Sequence, residues 1–388
     1  MQIKQILPQQ FGLLFAAFAF SQGIGLLGFW ALPLVSGSLM TGLGLSIIEV
    51  GTIGTTEGFG LFVSSLMLAN YVGRGYRRRA AAIGVVIVII GNCACGALKL
   101  EFTELILLRF MVGLGAGLAL AVGNATIANA RDAEKFSGHL TIMLVVFMVV
   151  VMPVLSRLSE SFGHQGVFFG LAVIVLIGAI SIVYMPDGPD ESLTKSVENN
   201  SSKPFTLASR LAICVMLVAL LFSARGTLPW LVAEQLGAEA GLSLPQVGDL
   251  FSAMYAISIL GPLAVLLLSR VAEVRTILFW ALATAGFFNW LFTISNGNTI
   301  QFVAGIVAWS TLFYMAFAQI NAIAALADRT GRLASAVGSA FIGGVTIAPL
   351  IGGMLVDAGG YSWLGIAEII LTLLIALIVL IGTPKKIK

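Results

Sequence analysis

The sequence predicts an all-α integral membrane protein, with twelve transmembrane helices in two pseudo-symmetric six-helix halves. Three observations carry this expectation. Only 10% of the 388 residues are Asp, Glu, Lys or Arg, and 59% are hydrophobic. The charges fall in short gaps between apolar runs of about 20 residues, the length at which an α-helix crosses the hydrocarbon core of a bilayer. One gap is longer than the others: residues 186–206 (PDGPDESLTKSVENNSSKPFT) read as a flexible linker and divide the runs six and six. Finally, the block Gly44-Leu-Ser-Ile-Ile-Glu-Val-Gly51 returns 197 residues later as Gly241-Leu-Ser-Leu-Pro-Gln-Val-Gly248, with five of eight positions identical. A duplicated six-helix unit explains that most economically.

The twelve runs, called spans 1 to 12 below, cover 11–38, 46–70, 80–99, 103–129, 137–158, 166–185, 207–231, 246–269, 276–295, 300–326, 333–356 and 362–383. Span 1 follows a segment with one lysine. It is too long for a signal-peptide core and shows no small-residue cleavage pattern, so it is expected to remain as a helix. Span 2 opens on the first copy of the repeated block and closes before Arg74, Arg77, Arg78 and Arg79. Span 3 holds Cys93 and Cys95, and span 4 holds Arg109 and a run of glycines. Span 5 carries Pro153 and ends at Arg157, and span 6 runs from His164 to the linker. Span 7 ends near Gly226 and Pro229, and span 8 opens on the second copy of the block. Spans 9 and 10 lie between Arg275 and Asp328. Span 11 carries Gly343-Gly344 and Pro349-Leu-Ile-Gly352-Gly353, and span 12 ends before Lys385, Lys386 and Lys388. The expected domains are 1–185, the linker 186–206, and 207–388.

The basic residues set the orientation. With a cytoplasmic N-terminus, 17 of the 21 Lys and Arg fall inside, Lys99 and Arg157 fall outside, and Arg109 and Arg225 lie within spans. That is the asymmetry of the positive-inside rule. Both termini and the linker are therefore expected in the cytoplasm, in a multi-pass protein of a bacterial inner membrane. A formal net charge of +3 gives no footing for nucleic acid. No extramembrane stretch is long enough for a catalytic domain. Three cysteines make no disulfide framework, Cys93 and Cys95 have no nearby histidine or third thiol for a metal, and there is no phosphate-binding Gly-x-x-x-x-Gly-Lys-[Ser/Thr] loop. Neither an enzyme nor a cofactor is expected.

Span 4 contains Arg109-Phe-Met-Val-Gly113-Leu-Gly115-Ala-Gly117, close to an Arg-x-x-x-Gly-x-Gly-x-Gly pattern. With the twelve spans and the duplication, the chain resembles the major facilitator superfamily. The resemblance implies a secondary transporter, similar to bacterial efflux proteins and permeases, with its solute bound between the two halves and moved by alternating access. The family's loop after span 2 carries Gly-x-x-x-Asp-Arg-x-Gly-Arg-Arg. Here Asn70 replaces the acid and Tyr71 the first arginine, ahead of Gly73 and Arg74. By that resemblance Asn70, Arg74 and Arg78 are gating candidates, with topogenic charge as the alternative for the arginines. Asp328-Arg329-Thr-Gly331-Arg332 preserves the pattern better. Asp328 is expected either to pair with Arg329 or Arg332 or to cap the next helix. The family's antiporter signature in span 5 is missing apart from Pro153, which weakens the case for a standard drug antiporter.

Ionisable groups inside spans are rare, and a membrane makes them expensive, so each is a candidate. Glu57 in span 2 is expected either to bind the coupling proton or to pair with Arg109; a purely structural ion pair is the alternative. Arg225 is expected to contact substrate or gate, or to snorkel to the outer headgroups. Glu368, in span 12, is expected to be peripheral. Spans 1, 4, 7 and 10 line the path in the resembled family. They offer Gln22, Trp30, Arg109, Asn124, Arg225, Trp230, Tyr314, Gln319 and Asn321 as path residues. Two arginines in spans favour an anionic or zwitterionic organic solute, moved with protons by a monomer in the lipid bilayer. Efflux of cationic or amphipathic compounds and uncoupled facilitation are the alternatives. A membrane sensor or scaffold is disfavoured because no extramembrane domain is visible.

Overall fold

A computed structural model describes residues 3–127, 133–188, 209–328 and 332–382. They are helical throughout apart from short turns, with no strand among them. Hydrocarbon offers the backbone no hydrogen-bond partners, so a spanning chain must satisfy its own N–H and C=O groups, which a helix does. Among the described residues eight helices are long and apolar enough to cross a membrane. Two helices, Ala133–Ala179 and Arg332–Gly382, are 47 and 51 residues long. At 1.5 Å per residue either would reach about 70 Å or more, over twice a bilayer core. Each is broken by non-helical backbone, at Gly163 (φ 61°, ψ −147°) and at Gly359 and Gly360 (φ 66°, ψ −165° at Gly360). They are spans 5 and 6 and spans 11 and 12. With Ile47–Arg74 as span 2 and a segmented span 1, the helices are consistent with twelve spans.

Span 1 is not one regular helix. It runs as Ile3–Phe18, a π-helical turn Ala19–Gly25, then Leu27–Trp30 and Leu32–Leu43. Pro33 at the start of the last piece lacks the N–H that would continue the preceding ladder, which accounts for the break at Ala31. Span 8 divides in the same way into Leu244–Ser258 and Leu260–Leu268, ahead of Pro262. The other expected spans appear as Arg77–Ala97, Phe102–Ile127, Arg210–Trp230, Val274–Thr293 and Thr299–Ala327.

The chain forms two compact units. The first comprises Met1–Gly44 with Ile53–Asn200, the second Leu45–Thr52 with Ser201–Lys388. Beyond Gly188 the expected linker lies outside the described residues. The duplication proposed from one sequence block recurs as local structure at the same offset of 197 residues. Gly44 and Gly241 both take left-handed backbone (φ 67° and 82°), which favours a residue without a Cβ. Each is followed by a serine whose backbone N–H is accepted three residues on, by Glu49 after Ser46 and by Gln246 after Ser243, both at 2.8 Å. These are paired capping boxes at the start of spans 2 and 8. The breaks at Gly163 and Gly360 are also 197 residues apart.

Within the first unit, the glycines of span 4 are the places where its neighbours come closest. A Cβ at Gly113 would collide with the main-chain oxygen of Glu57, and one at Gly117 with that of Leu61, both on span 2. Gly115 faces span 3, where a Cβ would stand 2.9 Å from the Gly84 oxygen. Ser64 of span 2 donates to the Leu114 oxygen at 2.7 Å. In the second unit Gly344 of span 11 meets the Leu220 oxygen of span 7, and Ser223 donates to the Phe341 oxygen at 2.8 Å. Small residues thus bring helix backbones together where dispersion and interhelical hydrogen bonds must hold them. Gly113→Val should lower the stability of the detergent-solubilised protein in a thermal unfolding assay by about 1–3 kcal/mol or more. Gly338→Ala, where a Cβ meets nothing within 4 Å, should leave the transition in place or raise it.

Candidate functional site

Close approach of spans 2 and 4 brings Glu57 to Arg109. The Arg109 Nη2 donates to Glu57 Oε2 at 2.5 Å, and its Nε donates to the same oxygen at 3.1 Å. The third edge of the guanidinium goes to span 3, where Nη1 donates to Asn92 Oδ1 at 2.9 Å. Cys95, one turn further along span 3, touches the same group. The ring of Phe168 in span 6 lies under it, 5.3 Å from Cζ. Arg109 is buried, while the Glu57 side chain keeps 16% of its exposure. Glu57 Oε1 occupies the space left by Gly28 in span 1, where a Cβ would collide with it. Five spans therefore meet around one ion pair. Asn92 was not among the residues expected to take part. Its only signal in the sequence is an amide in the middle of an apolar run.

Arg225 is also buried, and it lies inside the second unit. Its Nη1 donates to the Leu282 oxygen of span 9 at 2.9 Å and to Thr372 Oγ1 of span 12 at 3.2 Å, with Cζ 5.7 Å from the Phe222 ring. Gly286 leaves room for it, since a Cβ there would stand 2.8 Å from Nη1. The snorkelling alternative does not fit a guanidinium with no exposed surface. Glu368, expected to be peripheral to the path, is fully buried, with its carboxyl beside Thr293 of span 9.

The remaining path candidates divide by unit. In the first, Gln22 sits in the π-helical turn with its Oε1 buried, Trp30 is buried against Phe29 at 4.7 Å, and Asn124 is exposed. In the second, Trp230, Tyr314 and Gln319 are buried, and Asn321 is half-buried and donates to the Phe317 oxygen of its own helix at 2.9 Å. Trp230 and Tyr314 belong to an aromatic assembly that the sequence reading did not anticipate. Trp230 lies 5.1 Å from Phe251 and 5.9 Å from Trp309, Tyr255 lies 6.5 Å from Tyr314, and Phe313 stacks on Phe222 at 4.5 Å. Trp309 Nε1, Tyr314 Oη and Gln319 Oε1 are buried polar atoms of span 10 with no hydrogen-bond partner among the described residues.

Of the gating candidates, Arg78 is held within the first unit. Its Nε donates to the Met185 oxygen at 2.8 Å, and its backbone N–H is capped by Asp187 Oδ1 at 3.0 Å. An acid at the end of span 6 thus serves the helix start that Tyr76, in left-handed backbone, leaves without a side-chain cap. Asp328 accepts from the Leu333 backbone N–H at 2.9 Å, the contact that the capping alternative expects, and Arg332 is exposed. The side chains of Asn70 and Arg74, and all of Arg329, lie outside the described residues.

A family model described as Major Facilitator Superfamily matches residues 11–224. No curated protein sequence matches the chain. Among solved structures, a mutant of the nucleoside transporter NupG superposes with a TM-score of 0.74 at 14% identity, covering 97% of this chain and 100% of that one. A D-xylose-proton symporter superposes with a TM-score of 0.71 at 13% identity, covering 98% and 97%. At these identities the likeness is one of fold.

The geometry around Arg109 predicts that Arg109→Lys is not conservative, because an ammonium cannot serve Glu57 and Asn92 together from a fixed fork. Loss of charge-assisted bonds there should cost about 1.5–3 kcal/mol in denaturant or thermal unfolding of the solubilised protein.

Proposed function

The chain belongs to the Major Facilitator Superfamily, and on that premise we propose that it is a proton-coupled secondary transporter of a small, partly apolar organic solute, working by alternating access. The observation that carries the solute class is the aromatic assembly of the second unit with its three buried polar tips. Ring faces such as Trp309 and Phe313 suit a planar or ring-bearing solute, and Trp309 Nε1, Tyr314 Oη and Gln319 Oε1 supply a donor, a hydroxyl and an acceptor without competing partners among the described residues. Of the two arginines that favoured an anionic solute, Arg109 is engaged by Glu57 and Asn92, and Arg225 is buried inside its unit with Nη1 held by Leu282 and Thr372. Their support for negative charge on the solute is correspondingly weaker. Relatives in fold carry nucleosides and D-xylose by their descriptions, and both are small ring-bearing solutes.

Coupling is assigned to Glu57. A proton on its carboxyl cancels the charge that holds Arg109, so protonation changes the contacts of spans 1, 2, 3 and 4 at once. Orientation follows from the basic residues, with both termini in the cytoplasm of a bacterial inner membrane and the solute and protons as partners of a monomer.

In proteoliposomes screened with nucleosides, sugars, organic anions and amphipathic cations, uptake or release of one class should follow an imposed pH gradient. Glu57→Gln should abolish accumulation, and flux independent of the gradient in both proteins would overturn the coupling. Trp309→Ala should raise the solute KM about tenfold or more, the equivalent of about 1.4 kcal/mol or more of binding. A single cysteine placed at Lys99 should react with an impermeant thiol reagent from outside intact cells, and labelling only after lysis would reverse the orientation.

A further inference from the structure

The two units each bury one arginine beside one asparagine, and the asparagines are again 197 residues apart. Asn92 accepts from Arg109 at 2.9 Å, and Asn289 donates from Nδ2 to the main-chain oxygen of Arg225 at 3.1 Å. Each site also holds one glutamate, but the two are built differently. In the first unit the carboxylate arrives from span 2 and closes an ion pair. In the second it is Glu368 of span 12, and it does not come within 4.0 Å of the Arg225 nitrogens.

What surrounds Glu368 suits both states of a carboxyl. The residue is fully buried. Its Oε1 lies 3.0 Å from Thr293 Oγ1, and that hydroxyl also lies 2.9 Å from the Asn289 main-chain oxygen four residues back. A hydroxyl has one hydrogen and two lone pairs. When it donates to the Asn289 oxygen, it is left to accept, and a protonated Glu368 supplies the hydrogen. When it turns to Glu368, it donates to an ionised carboxylate. Glu368 Oε2, Asn289 Oδ1, and Arg225 Nε and Nη2 are buried polar atoms with no partner among the described residues. The charged group facing Glu368 is Arg225 of span 7. Span 9 contributes the uncharged Asn289 and Thr293, and Glu368's own helix contributes Thr372, which accepts from Arg225 Nη1 and donates to the Glu368 main-chain oxygen at 2.7 Å. A permanently ionised carboxylate buried here would call for closer partners than one shared hydroxyl, and the unconsumed donors of Arg225 are a fixed positive field that the ionised state satisfies.

We propose that Glu368, with Thr293 as its switching hydroxyl and Arg225 as its counter-charge, is a proton-binding site of the second unit, separate from Glu57. One proton from the aqueous phase adds to the carboxylate and leaves by the same route, and no other bond changes. The assignment rests on the reading of the protein as a proton-coupled transporter, and it gives that reading a carboxyl in each unit.

The test is pH-difference infrared spectroscopy of the full chain reconstituted in lipid, recorded in H2O and D2O with no solute present. Acidification of the wild type should produce a carboxyl C=O band at the high frequency of a buried acid. Glu368→Gln should remove it, and Glu57→Gln should leave it. Thr293→Val, which keeps the carboxyl and removes its hydroxyl partner, should move the band to higher frequency and shift its titration midpoint. That variant serves if Glu368→Gln does not fold. A band unchanged in Glu368→Gln, present at every pH, or unmoved by Thr293→Val would overturn the site. Because no solute is needed, failure of flux with the band intact would count against the transport reading alone.

Discussion

A bilayer does not solvate polar groups, and most of what is distinctive in this chain follows from that constraint. Backbone groups are satisfied by winding into helices, so the problem that remains is the side chains. Arg109 is the hardest case. It is acceptable only because Gly113 and Gly117 let span 4 approach span 2 closely enough for the Arg109 guanidinium to reach Glu57, while Gly115 does the same toward span 3 and Asn92. The Arg-x-x-x-Gly-x-Gly-x-Gly run is therefore one device in two parts: the glycines set the helix spacing, and that spacing lets the arginine be neutralised. Gly28 completes it by leaving space for the second carboxylate oxygen.

The duplicated architecture shows how the same positions are reused. The left-handed glycines, the capping boxes, the glycine breaks between paired spans and the buried asparagines all recur at one offset. Even the close contact of spans 2 and 4 has its counterpart, with Ser64 against the Leu114 oxygen matched by Gly261 against the Thr311 oxygen. The charges do not recur. Position 28 is a glycine making room for a carboxylate, whereas 197 residues later Arg225 stands in its place. Two units with one scaffold thus hold their buried charge from different helices, one as a closed pair and the other as a looser cluster with unconsumed donors and acceptors.

The spans, the repeat and the glycine-rich helix were legible because they depend on composition and short spacing. The interruptions at Ala31 and Ile259 were implicit in Pro33 and Pro262, whose missing N–H is a local property. The pairing of Glu57 with Arg109 was one of the expected alternatives, but the other partners were not legible. Span 4 is apolar on all sides, so no stripe reveals which of its residues face which neighbour. Asn92 is one amide in such a run. Nothing in the apolar run of span 12 shows that Glu368 meets Thr293 of span 9. Asp187 falls within the stretch expected to be linker, whereas it caps span 3 across 109 residues of sequence, a pairing that no local pattern announces. The aromatic assembly escaped for the same reason: Phe222, Phe251 and Phe313 are ordinary apolar residues until the spans are brought together.

The claim that Glu57 and Arg109 exist for each other is tested most directly by a double-mutant cycle, with unfolding of the solubilised protein measured for Glu57→Gln, Arg109→Met and the pair. Each single change leaves a buried charge or its partner uncompensated and should cost about 3–5 kcal/mol. The double variant should then cost less than the sum of the two by about 1–3 kcal/mol. Single effects that add to within about 0.5 kcal/mol would contradict the account.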